Sequence, residues 1–193
     1  MRNFLVVPLI ILIAASSLGA APAATPKTAP KASPTPNPTI AALSKLSGAA
    51  FDVAFMRALI PIHEEAVEIA LAATLNADHP ELLQWNQVMI DRKSGQVRKM
   101  LAWLQEAAAS AGPRNAGVVT DSVKKMRTVR GADLEKAYLP MIAAHLQQST
   151  ALAALAATKA TKPELRAMAQ ETLKAENAEV GMLKEWLKKW YGR

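Results

Sequence analysis

No cysteine occurs among the 193 residues of the chain. That absence excludes disulfides, a lipid anchor attached through cysteine and thiolate metal sites, and it leaves methionine and histidine as the soft metal ligands. The few glycines form no phosphate-cradling loop, and there is no G-x-S-x-G nucleophile motif. No glutamate stands three residues before a histidine, so the paired Glu-x-x-His motifs of carboxylate-bridged di-iron bundles are missing too. Enzyme activity is not expected.

What is present begins with an export signal. Met1-Arg2-Asn3 carries one positive charge, Phe4 to Ala15 is an almost unbroken apolar run, and Ala21-Pro22-Ala23 offers a small-residue cleavage site. Pro22 disfavours cutting after Ala21, so cleavage after Ala20 or Ala23 is expected. The apolar run is short for a retained span, and stable membrane insertion after cleavage is not expected. Residues 1–23 are thus assigned to the signal and 24–39, rich in proline and alanine, to an extended tether. The mature protein should be periplasmic or secreted. Removing Arg2, Lys27 and Lys31 leaves 23 − 3 = 20 basic against 16 acidic residues, a net of +4. So mild a balance lacks the concentrated basic face that nucleic-acid binding requires.

The folded part, 40–193, repeats itself. Tyr138-Leu139 stands 138 − 55 = 83 positions after Phe55-Met56, and the same shift relates Gly48 to Gly131 and Pro80-Glu81-Leu82 to Pro163-Glu164-Leu165. It also relates Val97 to Val180 and Trp103-Leu104 to Trp186-Leu187. One register over so many positions indicates two copies of a helical hairpin, about 45–110 and 128–193. Helix-period patterns predict long helices from about Ala50 to Leu75, Pro80 to Ala109, Asp133 to Ala157 and Pro163 to Trp190. Short lead-in helices are expected at Ile40–Ser47 and Ser122–Thr128. In the first long helix Phe51, Phe55, Ile62, Ala66 and Ile69 form one apolar stripe, and Met56, Ile60, His63, Val67 and Leu71 form its neighbour. Arg57, Pro61, Glu64, Glu65 and Glu68 make the polar side, where Pro61 is tolerable as a bend. The expected fold is all-α, an antiparallel four-helix bundle built from two repeated hairpins about a pseudo-two-fold axis.

Phe55-Met56, Leu59-Ile60-Pro61-Ile62-His63-Glu64-Glu65-Ala66, Pro80-Glu81-Leu82, Gln96-Val97, Met100 and Trp103-Leu104 together resemble the domain of unknown function 305 family. Its pattern is similar to F-L-x-x-M-I-x-H-H-x-x-A, a proline-led second helix, and Q-x-x-E-I-x-x-M-x-x-W-L. The likeness runs from about Lys45 to Leu187. It implies a ferritin-like bundle in an exported protein, and copper binding through Met and His in some members. Several family positions are altered. The paired histidines are Ile62-His63 in one copy and His145-Leu146 in the other, and Met100 is answered by Leu183. The glutamine of the last motif is replaced by Lys93 and Glu176. These two lie on equivalent inward stripes, where either they meet across the pseudo-two-fold axis as a buried ion pair or each snorkels separately to solvent.

Copper(I) prefers thioether and imidazole ligands. Met141 and His145 at i, i+4 place one of each on a single helix face, and Met56 and His63 at i, i+7 are a looser counterpart. Met100 is a further ligand implied by the resemblance. Equally, all five are ordinary residues for a core, since Met fills gaps and a lone His on an apolar stripe is commonly hydrogen-bonded. His79, beside Pro80, is expected to cap a helix. Glu64, Glu65 and Glu68 are expected to form a solvated acidic face, and Lys184, Lys188, Lys189 and Arg193 around Trp186, Trp190 and Tyr191 to favour the dipole of the last helix. Two functions remain open: an exported bundle that binds or buffers copper, and a metal-free envelope or partner-binding module.

Overall fold

A computed structural model describes residues 37–192; the signal assignment and most of the tether assignment lie outside them. Six helices follow one another: α1 (Pro38–Ser44), α2 (Gly48–Thr74), α3 (Pro80–Glu106), α4 (Asp121–Thr128), α5 (Gly131–Lys159) and α6 (Pro163–Tyr191). The ends are set by local chemistry. The Asn37 side chain accepts from Thr39 N at 2.9 Å and starts α1 within the expected tether. Pro80 and Pro163 open α3 and α6, where a missing N–H costs nothing. Gly48 and Gly131 enter α2 and α5 with φ of +61° and +53°, a conformation that glycine adopts without penalty.

The four long helices form the antiparallel bundle, each hairpin packed along its own length and the two joined chiefly through α2 against α5. The halves are not splayed. One core cluster joins Ile69, Leu82, Met89, Tyr138, Leu146 and Leu183, and the other joins Phe51, Phe55, Met56, Met100, Leu152 and Leu165. Both draw on all four helices, so the core belongs to the pair of hairpins and not to either one.

Asp52 and Glu135 are equivalent under the 83-residue shift, each four residues past its left-handed glycine. Asp52 on α2 accepts from the backbone of Thr161 (3.0 Å) and Lys162 (2.9 Å) and from the Thr161 hydroxyl (2.5 Å), at the start of α6. Glu135 on α5 accepts from the backbone of Asp78 (2.7 Å) and His79 (2.8 Å), at the start of α3. Each carboxylate therefore satisfies helix-entry N–H groups of the opposite hairpin, where a negative charge also suits the helix dipole.

The polar side of α2 departs from the solvated face expected of it. Glu64 is only 5% exposed and accepts from Arg114 and from the backbone of Asn115 (2.6 Å) and Ala116 (3.1 Å). Glu68 accepts from Gly117 N at 2.7 Å, Arg57 donates to Ser110 O at 2.7 Å, and Asn115 donates to Pro61 O at 3.1 Å. This strip holds the connection between the two copies. The reason is the loop's own unpaired N–H groups, which need acceptors once it lies on the bundle.

Candidate functional site

Between the two apolar clusters four buried polar side chains meet, one from each long helix: His63 on α2, Lys93 on α3, Ser149 on α5 and Glu176 on α6, all fully excluded from solvent. Helical spacing puts them at one level, since each falls between the stretches of its helix that supply the two clusters. Lys93 Nζ donates to Glu176 Oε1, and Ser149 Oγ donates to the other carboxylate oxygen. The ion pair across the pseudo-two-fold axis is thus formed, and the separately snorkelling alternative is not. Outside it, Arg92 holds Glu179 by two 2.6 Å bonds, and Gln96 Nε2 donates to Thr172 Oγ1 at 2.9 Å. α3 and α6 meet through these long side chains. Beside them runs a groove of about 720 Å³ lined by Asp91, Gly95, Lys99, Trp103 and Glu164.

Lys93 Nζ also lies 3.2 Å from His63 Nδ1. An ammonium has only donors, so Nδ1 accepts and the ring proton sits on Nε2, which is buried and has no hydrogen-bond partner. Burial, followed by the charges of Lys93 and Arg92, holds the His63 imidazole well below its ordinary value, against a smaller opposing effect of Gln96. The ring is neutral at pH 7. Burial likewise lowers Lys93, with Glu176 acting in the opposite sense.

His145 stands one turn before Ser149 on α5 and is half-buried. Its Nδ1 is buried and unpartnered, and burial lowers its pKa, with Glu65 raising it and Lys93 lowering it. Both histidines therefore feel Lys93. The methionines divide: Met56 and Met100 belong to the cluster that holds Phe55, whereas Met141 packs on the one that holds Tyr138. The five candidate ligands are spread along the bundle, with His145 and Met141 together on α5 and His63 held by Lys93.

At the far end of the bundle His79 occupies the entry of α3, but its ring does not cap the helix. His79 Nδ1 lies 2.5 Å from Glu135, which also accepts from Tyr191 Oη at 2.5 Å, and the ring stacks on Trp190 at 3.9 Å. Trp190 stacks in turn on Trp186 at 5.0 Å, so these C-terminal aromatics close one end of the bundle. Although burial raises Glu135, the Tyr191 and His79 hydrogen bonds bring it below the ordinary carboxylate range. Sequence reasoning missed the roles of Asp52 and Glu135, although an acid four residues after each repeated glycine was a visible signal.

The donor set fits a soft ion of low coordination number at His145, whose buried Nδ1 has no partner and has the Met141 thioether one turn away, whereas the unpartnered Nε2 of His63 carries the ring proton. It does not fit a hard or many-coordinate ion. Among the described residues no three His, Asp or Glu side chains converge to hold a metal.

Fold and core define an all-α, duplicated four-helix bundle with a polar layer at its centre. The chain belongs to the DUF305 family, a domain of unknown function, whose sequence model matches residues 16–104 and 135–193. Among solved structures, a DUF305 protein from Streptomyces coelicolor described as secreted is 20% identical, with a TM-score of 0.65 over 72% of this chain and 93% of that one. CopM in its Cu(I)-bound form is 22% identical, with a TM-score of 0.64 over 72% of this chain and 97% of that one. CopM in an Ag-bound form gives 22% and 0.63 over 72% and 97%. These likenesses establish the fold. No curated protein sequence matches the chain.

Proposed function

We propose that this is an exported helical-bundle protein that binds or buffers a soft metal ion, copper in its reduced state, in the periplasm or outside the cell, and that it is not an enzyme. His145 and Met141 would hold the ion. The observation that carries the reading is the buried His145 Nδ1, neutral and without a partner, one helical turn from a thioether. An imidazole nitrogen left unsatisfied in an apolar setting costs roughly 1–3 kcal/mol, which ligation would offset. CopM, which shares the fold, is known in Cu(I)-, Cu(II)- and Ag-bound forms. Among the described residues no helix is long and apolar enough to cross a membrane, in keeping with a metal-handling domain outside the bilayer. The test is a titration of the purified mature protein with copper(I) against a competing chelator. His145→Ala should weaken binding at least about tenfold, roughly 1.4 kcal/mol; an unchanged affinity would refute the assignment.

A second reading, a metal-free envelope or partner-binding module, is favoured by one observation. Lys93 already occupies Nδ1 of His63, and Met56 and Met100 lie in a different cluster from Met141. Protein isolated from its own envelope without metal, together with no response of wild type to copper(I), would select it.

A further inference from the structure

The polar layer has the form of a small coordination shell. Three of its four members carry lone pairs: the Nδ1 of His63, the carboxylate of Glu176 and the hydroxyl of Ser149. The fourth member, Lys93, places an ammonium against the first two and is itself fully buried. An ammonium supplies the same charge as a monovalent metal ion and is covalently unable to leave. We propose that Lys93 is the resident cation of the bundle centre: its ammonium takes the place beside His63 and Glu176 that a soft monovalent ion would otherwise fill, and so restricts metal to the His145 side.

The inference rests on the reading that a soft ion is the cargo, and it assigns His63 the role of hydrogen-bond acceptor instead of ligand. Two features of the molecule support it. The buried charge of Glu176 needs a cation, and the one that touches its carboxylate is Lys93, with the Ser149 hydroxyl on the other oxygen and Arg92 further off. Lys93 covers His63 Nδ1 with the same ammonium that meets the Glu176 carboxylate, while Nε2 carries the proton and cannot ligate in that tautomer. Metal bound at the half-buried His145 would exchange with solvent, as a buffer requires, instead of being locked in the core.

The experiment uses the full exported chain with silver(I) as the probe, imidazole nitrogen NMR to follow each histidine, and thermal melting. His145→Ala silences the site assigned above. In that variant, with Lys93 intact, the His63 resonances should not move on adding silver(I) and the melting temperature should not rise. When Lys93→Ala is added, the melting temperature should drop, and silver(I) should then shift His63 and restore much of the loss. A His63 shift while Lys93 is in place overturns the proposal, and so does a folded double variant that ignores silver(I). Should the double variant not fold, His145→Ala with Lys93→Leu and Glu176→Gln removes both charges, fills the space with an apolar side chain and adds no soft ligand. Its His63 must respond to silver(I), or the proposal fails. Loss of the earlier reading is separately visible, as a wild-type protein whose His145 resonances do not move.

Discussion

The two copies keep the same helices and exchange their interior chemistry. Lys93 in the first is Glu176 in the second, His63 is Leu146, Ile62 is His145, Met100 is Leu183, and Ser149 answers Ala66. At the centre the differences are complementary, since opposite charges meet where identical residues would have repelled. At the ends the copies stay alike, with Asp52 and Glu135 making matching bonds. The copies thus share a frame, and in the layer where they touch their differences are matched to one another.

The largest test of this comparison is to remove one member of the central pair. Lys93→Met or Glu176→Met alone should cost about 3–5 kcal/mol in denaturant unfolding, because a buried charge is left unpaired, whereas both together should return close to wild type. Simple additivity would show that the pair is not coupled.

Next in size are the two carboxylates at the helix entries. Glu135→Ala, which strands two backbone N–H groups, His79 and Tyr191, should cost about 2–3 kcal/mol. Asp52→Ala strands Thr161 and Lys162 and should cost about 1–2 kcal/mol. Equal losses would mean that the aromatic cover over Glu135 adds nothing.

The smallest effect concerns the histidine that only the first copy buries fully. Its pKa is lower in the folded chain than the unfolded value of 6.5, so the unfolded state takes up the proton first. The stability it contributes is fully present above 6.5 and is lost as pH falls toward the folded value, at about 1.4 kcal/mol per pH unit. His63→Leu, which copies Leu146, should flatten the pH 5–6.5 stretch of a stability profile; an unchanged slope would assign it to other groups.

Much of this was legible beforehand, for definite reasons. The repeat register placed the long helices to within a few residues and paired Lys93 with Glu176, because a constant shift turns sequence equivalence into spatial opposition. The burial of Glu64 was not legible, since its partners are chiefly backbone N–H groups of a loop, which carry no side-chain signal. The same holds for Asp52 and Glu135. His79 sat at the expected helix entry, yet its ring turned to Glu135 and Trp190, contacts made across the duplication that no local pattern encodes. Helical spacing placed His145 with Met141, but it could not show that Lys93 would cover His63.

The opposed signs of Lys93 and Glu176 also govern which hairpins can be companions. Two first-copy hairpins brought together would confront ammonium with ammonium, and two second-copy hairpins carboxylate with carboxylate, each without water to screen them. The fused chain therefore pairs unlike hairpins, one bringing the ammonium and the other the carboxylate.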